Sequence, residues 1–137
     1  MSKAVLLKIK SDIVQNDEKD QIEFSSDGTY YEKNNKKYLS YDETELTGMA
    51  GSRVVLIIHK EHLEMHRFGT TKAKMVFKLG KTTKTDYKTP YGHFKMEIIT
   101  HQLVVNLKDG CIKIEYDLNI KGLSEGHNKL IINIKQS

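Results

Sequence analysis

Apolar and polar residues alternate with a period of two along most of this chain. The cleanest run lies near the C-terminal end, where Ile112, Ile114, Tyr116, Leu118 and Ile120 alternate with Lys113, Glu115, Asp117, Asn119 and Lys121. A strand with one face on a dry core and the other in water needs that order, whereas a helix would scatter those charges round its circumference. The same rhythm sets Phe94, Met96, Ile98 and Thr100 against Lys95, Glu97, Ile99 and His101, and then Leu103, Val105 and Leu107 in the opposite phase. Ala73, Met75, Phe77 and Leu79 face inward against Lys72, Lys74 and Lys78. Val5, Leu7, Ile9 and Ile13 open the chain, Ile22 and Phe24 follow, and Leu130, Ile132 and Ile134 close it.

Turn chemistry punctuates these runs. Asn34-Asn35 separates Tyr30-Tyr31 from Tyr38-Leu39, and Asp109-Gly110 is a strong hairpin signal. Gly69, Gly80, Gly92, Gly122 and Gly126 fall near strand ends, and residues 48–52 break the chain before Val54. Gly28 reads either as a turn or as a bulge inside one long strand. Residues 54–67 are the one helical rival. Their Val-Val-Leu-Ile-Ile core is β-branched, so they read as two strands around a turn near residues 60–62. Short strands recurring at roughly ten-residue spacing predict an all-β fold. Closure removes exposed edges, so the expectation is one closed or nearly closed antiparallel β-barrel of about 8–10 strands over residues 1–137.

Composition narrows the class. Of 137 residues 38% are hydrophobic and 29% charged, which suits a packed domain and excludes a disordered chain. The longest apolar stretch, residues 54–58, is strand-sized, far short of a membrane helix. The N-terminal residues lack the apolar centre and cleavage site of a signal peptide. Cys111 is the only cysteine, so no internal disulfide forms. Together these predict a cytoplasmic protein with no membrane partner. The net charge is +4, and the excess is local: residues 67–95 hold eight bases against Asp86 alone. Lys72, Lys74, Lys78, Lys84 and Lys88 lie in that window, where a basic stripe can attract nucleic acid.

Four ordered segments carry a family likeness: Tyr38-Leu39-Ser40-Tyr41, Met65-His66-Arg67-Phe68-Gly69, Tyr87-Lys88-Thr89-Pro90-Tyr91-Gly92 and Ile114-Glu115-Tyr116-Asp117-Leu118. In order and spacing they resemble the YwiB-like domain-of-unknown-function family of small bacterial (Firmicutes-type) proteins, over residues 7–134. The resemblance implies a lipocalin-like, calycin-type β-barrel and a cytoplasmic home. It implies no established activity and no established site.

Candidate binding chemistry comes from polar residues on inward faces. Arg67 shares its strand face with Leu63 and Met65, so a barrel would bring its guanidinium inside, where the planar fork suits a carboxylate or phosphate. Thr85 and Tyr87 share a face with Thr83 and Thr89, opposite Lys84, Asp86 and Lys88. With Tyr116, they predict an amphipathic lumen for a small amphipathic or anionic ligand, bound by Arg67, Thr85, Tyr87 and Tyr116. Two other readings compete. One is nucleic-acid binding along the lysine stripe. The other is a protein-interaction scaffold or homodimer built on the outward apolar residues Val55, Ile57, Ile99, Val104 and Ile131.

Enzyme signatures are lacking: there is no Gly-x-Ser-x-Gly elbow, no phosphate-cradling loop and no nucleophilic cysteine setting. No catalytic residue and no cofactor is predicted. His59, His62 and His66 invite a metal, but His62 and His66 lie on the face opposite Leu63 and Met65, and His59 lies across the turn. No HExxH motif or cysteine pair joins them, so the pattern predicts no metal.

Overall fold

The computed structural model describes residues 2–42, 52–69, 72–121 and 124–136. Ten strands follow one another: β1 (Ser2–Gln15), β2 (Glu18–Lys33), β3 (Lys36–Asp42), β4 (Arg53–Ile58), β5 (Leu63–Phe68), β6 (Lys72–Phe77), β7 (Thr82–Thr89), β8 (Gly92–Asn106), β9 (Cys111–Ile120) and β10 (Ser124–Gln136). Each pairs antiparallel with the next, and β1 closes on β10 from Val5↔Gln136 to Val14↔His127. The expected closed antiparallel barrel is thus the fold, with ten strands.

Alternation sorts most side chains as the sequence pattern requires, but Leu79, expected inside, lies past the end of β6 and is 58% exposed, and Val105, near the end of β8, is exposed as well. Leu7, Leu39, Val54, Leu56, Leu63, Phe77, Ile98, Ile112, Ile114 and Ile132 are fully buried, while Lys8, Glu23, Lys84 and Lys113 stand in water on the outer wall. A membrane-spanning barrel shows the reverse, with an apolar band outside. No helix among the described residues is long and apolar enough to cross a membrane.

Local geometry follows from particular residues. Asn34 and Asn35 both adopt positive φ (54° and 63°), the conformation a two-residue hairpin needs, and Asn is among the few side chains that tolerate it. Asn16 and Asp17 make the β1–β2 turn in the same way (52° and 65°), a turn the sequence pattern did not mark because it lacks glycine. Gly28 lies inside β2 with unbroken register on both sides, so it is neither turn nor bulge. A Cβ there would meet the Ser40 carbonyl oxygen at 2.7 Å and Leu7 Cδ1 at 2.9 Å, so glycine permits the close approach of β3. The two out-of-phase apolar runs of residues 94–107 belong mostly to one strand. A register shift between Thr100 and Gln102 in β8 flips the inward phase.

The meander gives the barrel two unlike ends. One end carries the β2–β3, β4–β5, β6–β7 and β8–β9 turns together with the start of β1 and the end of β10. Side chains of Leu7, Leu39, Leu56, Leu63, Phe77 and Ile112 fill the lumen there. The opposite end, where β1 meets β2 at Asn16-Asp17, is not filled.

Candidate functional site

The unfilled end holds a cavity of about 180 Å³. Apolar side chains make most of its wall: Ile9 and Ile13 from β1, Phe24 from β2, Met65 from β5, Met75 from β6 and Leu130 from β10. Five polar residues interrupt them: Ser11, Tyr41, Arg67, Tyr116 and Asn128. Each occupies an inward phase of its strand. Among the described residues lining the cavity, Arg67 alone carries a formal charge, and none is a carboxylate, histidine or cysteine.

Strand parity explains how Arg67 arrives there. Leu63 and Met65 are buried, and Arg67 continues the same face of β5, half-buried between Val54 of β4 and Ala73 of β6. Tyr116 enters from β9, 9% exposed, and packs edge-on against Phe77 with ring centres 4.9 Å apart. Burial pushes its hydroxyl up to about 12, against the pull of the nearby Arg67 charge. At neutral pH this phenol therefore keeps its proton and remains a donor.

The structure divides the four residues expected to bind a ligand. Arg67 and Tyr116 share the cavity, whereas Thr85 and Tyr87 do not line it. For Thr85 the seam between β6 and β7 is the reason. Among the described residues it is paired at Lys72↔Lys88 and Ala73↔Tyr87, so the ladder ends before Thr85. Tyr87 packs on the core beside Ala73 and Phe94. Thr85 opens instead on a hollow flanked by Lys84, Lys95, Glu97, Asn119 and Lys121. The Thr83 hydroxyl donates to the Val76 carbonyl across the seam. Ser11 and Asn128 went unread in the sequence. Their signal was a polar residue in the apolar phase, between Ile9 and Ile13 on β1 and beside Leu130 and Ile132 on β10.

The lysine stripe lies on the outer wall of β6 and β7. Lys72 stands opposite Lys88, which concentrates positive charge, but Lys74 Nζ is 3.5 Å from Glu64 Oε1 and Lys84 stands opposite Glu97. Lys78 is exposed beyond the end of β6. The outward apolar residues are similarly interrupted. Ile99 and Val104 are exposed while Val55, Ile57 and Ile131 are half-buried. Ile99 stands opposite Asp117, Val104 opposite Lys113, and Ile131 between Lys10 and Lys113.

Among the described residues, two groups of metal-ligating type also form on the outer wall: His59, His62 and Glu64, and His101, Asp117 and His127. Contrary to the expectation from the histidines alone, Glu64 shares the outward face of β5 with His66 and joins His59 and His62. Contacts with His66, Lys74 and His59 outweigh partial burial and hold the Glu64 carboxyl down at about 2.

A family model described as a domain of unknown function (DUF1934) matches residues 7–132. The chain belongs to this family. A relative from Bacillus subtilis (strain 168), described as an uncharacterized beta-barrel protein, YwiB, is 33% identical over 130 residues, covering 93% of this chain and 90% of that protein. The crystal structure of the ywiB protein from Bacillus subtilis superposes with a TM-score of 0.83, over 99% of this chain and 93% of that one. Identity over the superposed residues is 23%, so that match speaks for the shared barrel alone. Family membership agrees with the resemblance in residues 38–41, 65–69, 87–92 and 114–118, and it brings no activity with it.

Proposed function

We propose that this protein is a cytoplasmic, non-enzymatic binding barrel that takes a small amphipathic anion into the unfilled end of its lumen. The observation that supports this reading is the meeting of Arg67 and Tyr116 in a mostly apolar cavity. Volume sets the size of the ligand. An apolar cavity of roughly 150 Å³ accommodates benzene, so about 180 Å³ suits a single ring or a short chain and falls below the usual space for a drug-sized molecule. Chemistry sets its head group. The Arg67 guanidinium offers a fork of N–H donors to a carboxylate, and the protonated Tyr116 hydroxyl supplies a further donor. Asn128 and Ser11 add polar partners on the β1–β10 side. A short-chain or aromatic carboxylic acid meets both requirements.

The nucleic-acid reading draws less support, because Lys74 and Lys84 each stand beside an acid. Titration calorimetry with benzoate, butyrate and their neutral alcohols tests the proposal. Saturable binding of an acid, stronger than that of its alcohol and lost in Arg67→Met, is expected. Absence of saturable binding across the acids, or an unchanged preference in the variant, overturns the reading.

A further inference from the structure

The β4–β5 hairpin builds a second site, on the outer wall and away from the lumen cavity. A backbone bond from His59 N to the His62 carbonyl (3.0 Å) closes the turn and brings the two imidazoles face to face, with centres 4.1 Å apart and planes 9° apart. Leu63 and Met65 point into the barrel, so Glu64 and His66 share the outward face beside these rings. Glu64 Oε2 lies 2.6 Å from His59 Nε2 and 3.4 Å from His62 Nε2. Its other oxygen, Oε1, lies 3.0 Å from His66 Nε2 and 3.5 Å from Lys74 Nζ. These are sheltered groups: the side chains of His59 and Glu64 are 16% exposed, and that of His62 27%.

One atom shows that this is more than an ordinary ion-pair network. His59 Nε2 is buried and lies 2.6 Å from Glu64 Oε2, an ion-pair contact whose angle falls short of a well-aligned hydrogen bond. With the His59 proton on Nδ1, a cation between Nε2 and Oε2 satisfies both atoms, which their direct contact does not. We propose that His59 Nε2, His62 Nε2 and Glu64 Oε2 bind a divalent cation of the zinc class, with water in the fourth position, while His66 and Lys74 hold the carboxylate through Oε1.

The dimensions fit. Zinc–nitrogen and zinc–oxygen bonds of about 2.0–2.2 Å place the ligand atoms of a tetrahedral site roughly 3.3 Å apart. The two contacts at Oε2, 2.6 and 3.4 Å, bracket that value, and binding requires a small opening at His59 together with a tilt of the two stacked rings so that their in-plane lone pairs converge. Two imidazoles and one carboxylate suit zinc better than calcium or magnesium, which favour all-oxygen sites. Lys74 is half exposed and on the Oε1 side, so it can stay or swing away without disturbing the ligands. A metal there clamps the start of β5 to the end of β4.

The rival group, His101, Asp117 and His127, carries the inference less far. Its side chains are 43–44% exposed. Asp117 Oδ2 and Oδ1 contact His101 Nε2 (2.8 Å) and His127 Nδ1 (2.6 Å), one oxygen for each ring.

Cobalt(II) and zinc(II) titrations of the full chain, stripped with chelator, test the assignment. The expected result is one equivalent of Co²⁺ giving the intense visible bands of a tetrahedral centre, displaced by Zn²⁺. Glu64→Gln and His59→Gln should each weaken zinc at least about 100-fold, His66→Gln by about 10–100-fold, and His101→Gln not at all. Each apo variant is checked for an intact barrel by thermal unfolding. If a variant does not fold, zinc-dependent NMR shifts at His59 and His62 in the unaltered chain decide in its place. The proposal is overturned if the chain takes up neither metal at micromolar concentration. It also fails if binding survives Glu64→Gln and disappears in His101→Gln.

Discussion

Arg67 and Tyr116 reach the same cavity from β5 and β9, and the Arg67 charge opposes the burial that keeps the Tyr116 hydroxyl protonated. The Tyr116 phenol keeps its proton through the neutral range and so stays a donor beside the Arg67 fork. Binding of a carboxylate by this pair is therefore expected to stay flat from pH 6 to 8, a window well clear of about 12. Tyr116→Phe removes one hydrogen bond to a charged group, worth about 1.5–3 kcal/mol, and should weaken an acid by roughly 10- to 100-fold. The neutral alcohol should lose less. Calorimetry on both ligands measures the difference.

The two halves of the lumen should respond differently to truncation. Leu63 is fully buried in the packed end, while Met65, two residues along the same face, borders the existing cavity. Leu63→Ala should cost about 3–5 kcal/mol and Met65→Ala nearer 2, because surroundings that already border space lose fewer contacts. Urea denaturation of both variants gives the comparison. Equal losses would contradict a lumen filled at one end and open at the other.

Gly28 gives a backbone test. Its missing Cβ makes room for the Ser40 carbonyl and Leu7, and neither can yield without moving β3 or the core. Gly28→Ala is expected to destabilise the barrel by about 1–3 kcal/mol, although alanine suits a strand better than glycine does. Gly80→Ala meets no atom within 4 Å and pays only for its positive φ of 72°, about 1–2 kcal/mol. Thermal melts of the pair separate crowding from conformational strain.

The pH dependence of the metal-free protein follows from Glu64. Its pKa falls from 4.5 to about 2 on folding, so the folded state favours the ionised form. That contribution is fully present above pH 4.5 and is lost as pH falls through about 2. It is on the order of 2 kcal/mol. Glu64→Gln should lower stability at neutral pH and flatten the acid limb between these values. Urea titrations at a series of pH values, with chelator present, measure both effects. An unchanged acid limb would contradict the pairing of Glu64 with His59, His66 and Lys74.

Much of this architecture was legible because a period of two leaves little freedom. Ile112, Ile114 and Tyr116 point inward, Lys113 and Asn119 point out, and Leu63 and Met65 carry Arg67 in with them. The phase change between Thr100 and Leu103 was visible too, and its cause is the shift in β8. Parity says which face a residue takes but not how far neighbouring strands stay together. Thr85 and Tyr87 have the expected phase, yet Thr85 lies past the paired part of the β6–β7 seam, and Tyr87, paired with Ala73, packs beside Phe94 and not on the cavity. The Glu64 cluster was hidden for another reason: its partners come from a turn, its own strand and β6, and only register brings Lys74 opposite His66.

The decisive measurement for a ligand-holding lumen is a crystal structure of the protein grown with benzoate. The ring is expected among Ile9, Phe24, Met65 and Leu130, with the carboxylate on Arg67 and Tyr116. Side chains closing the β1–β2 end of the lumen, or benzoate bound only on the outer wall, would contradict it.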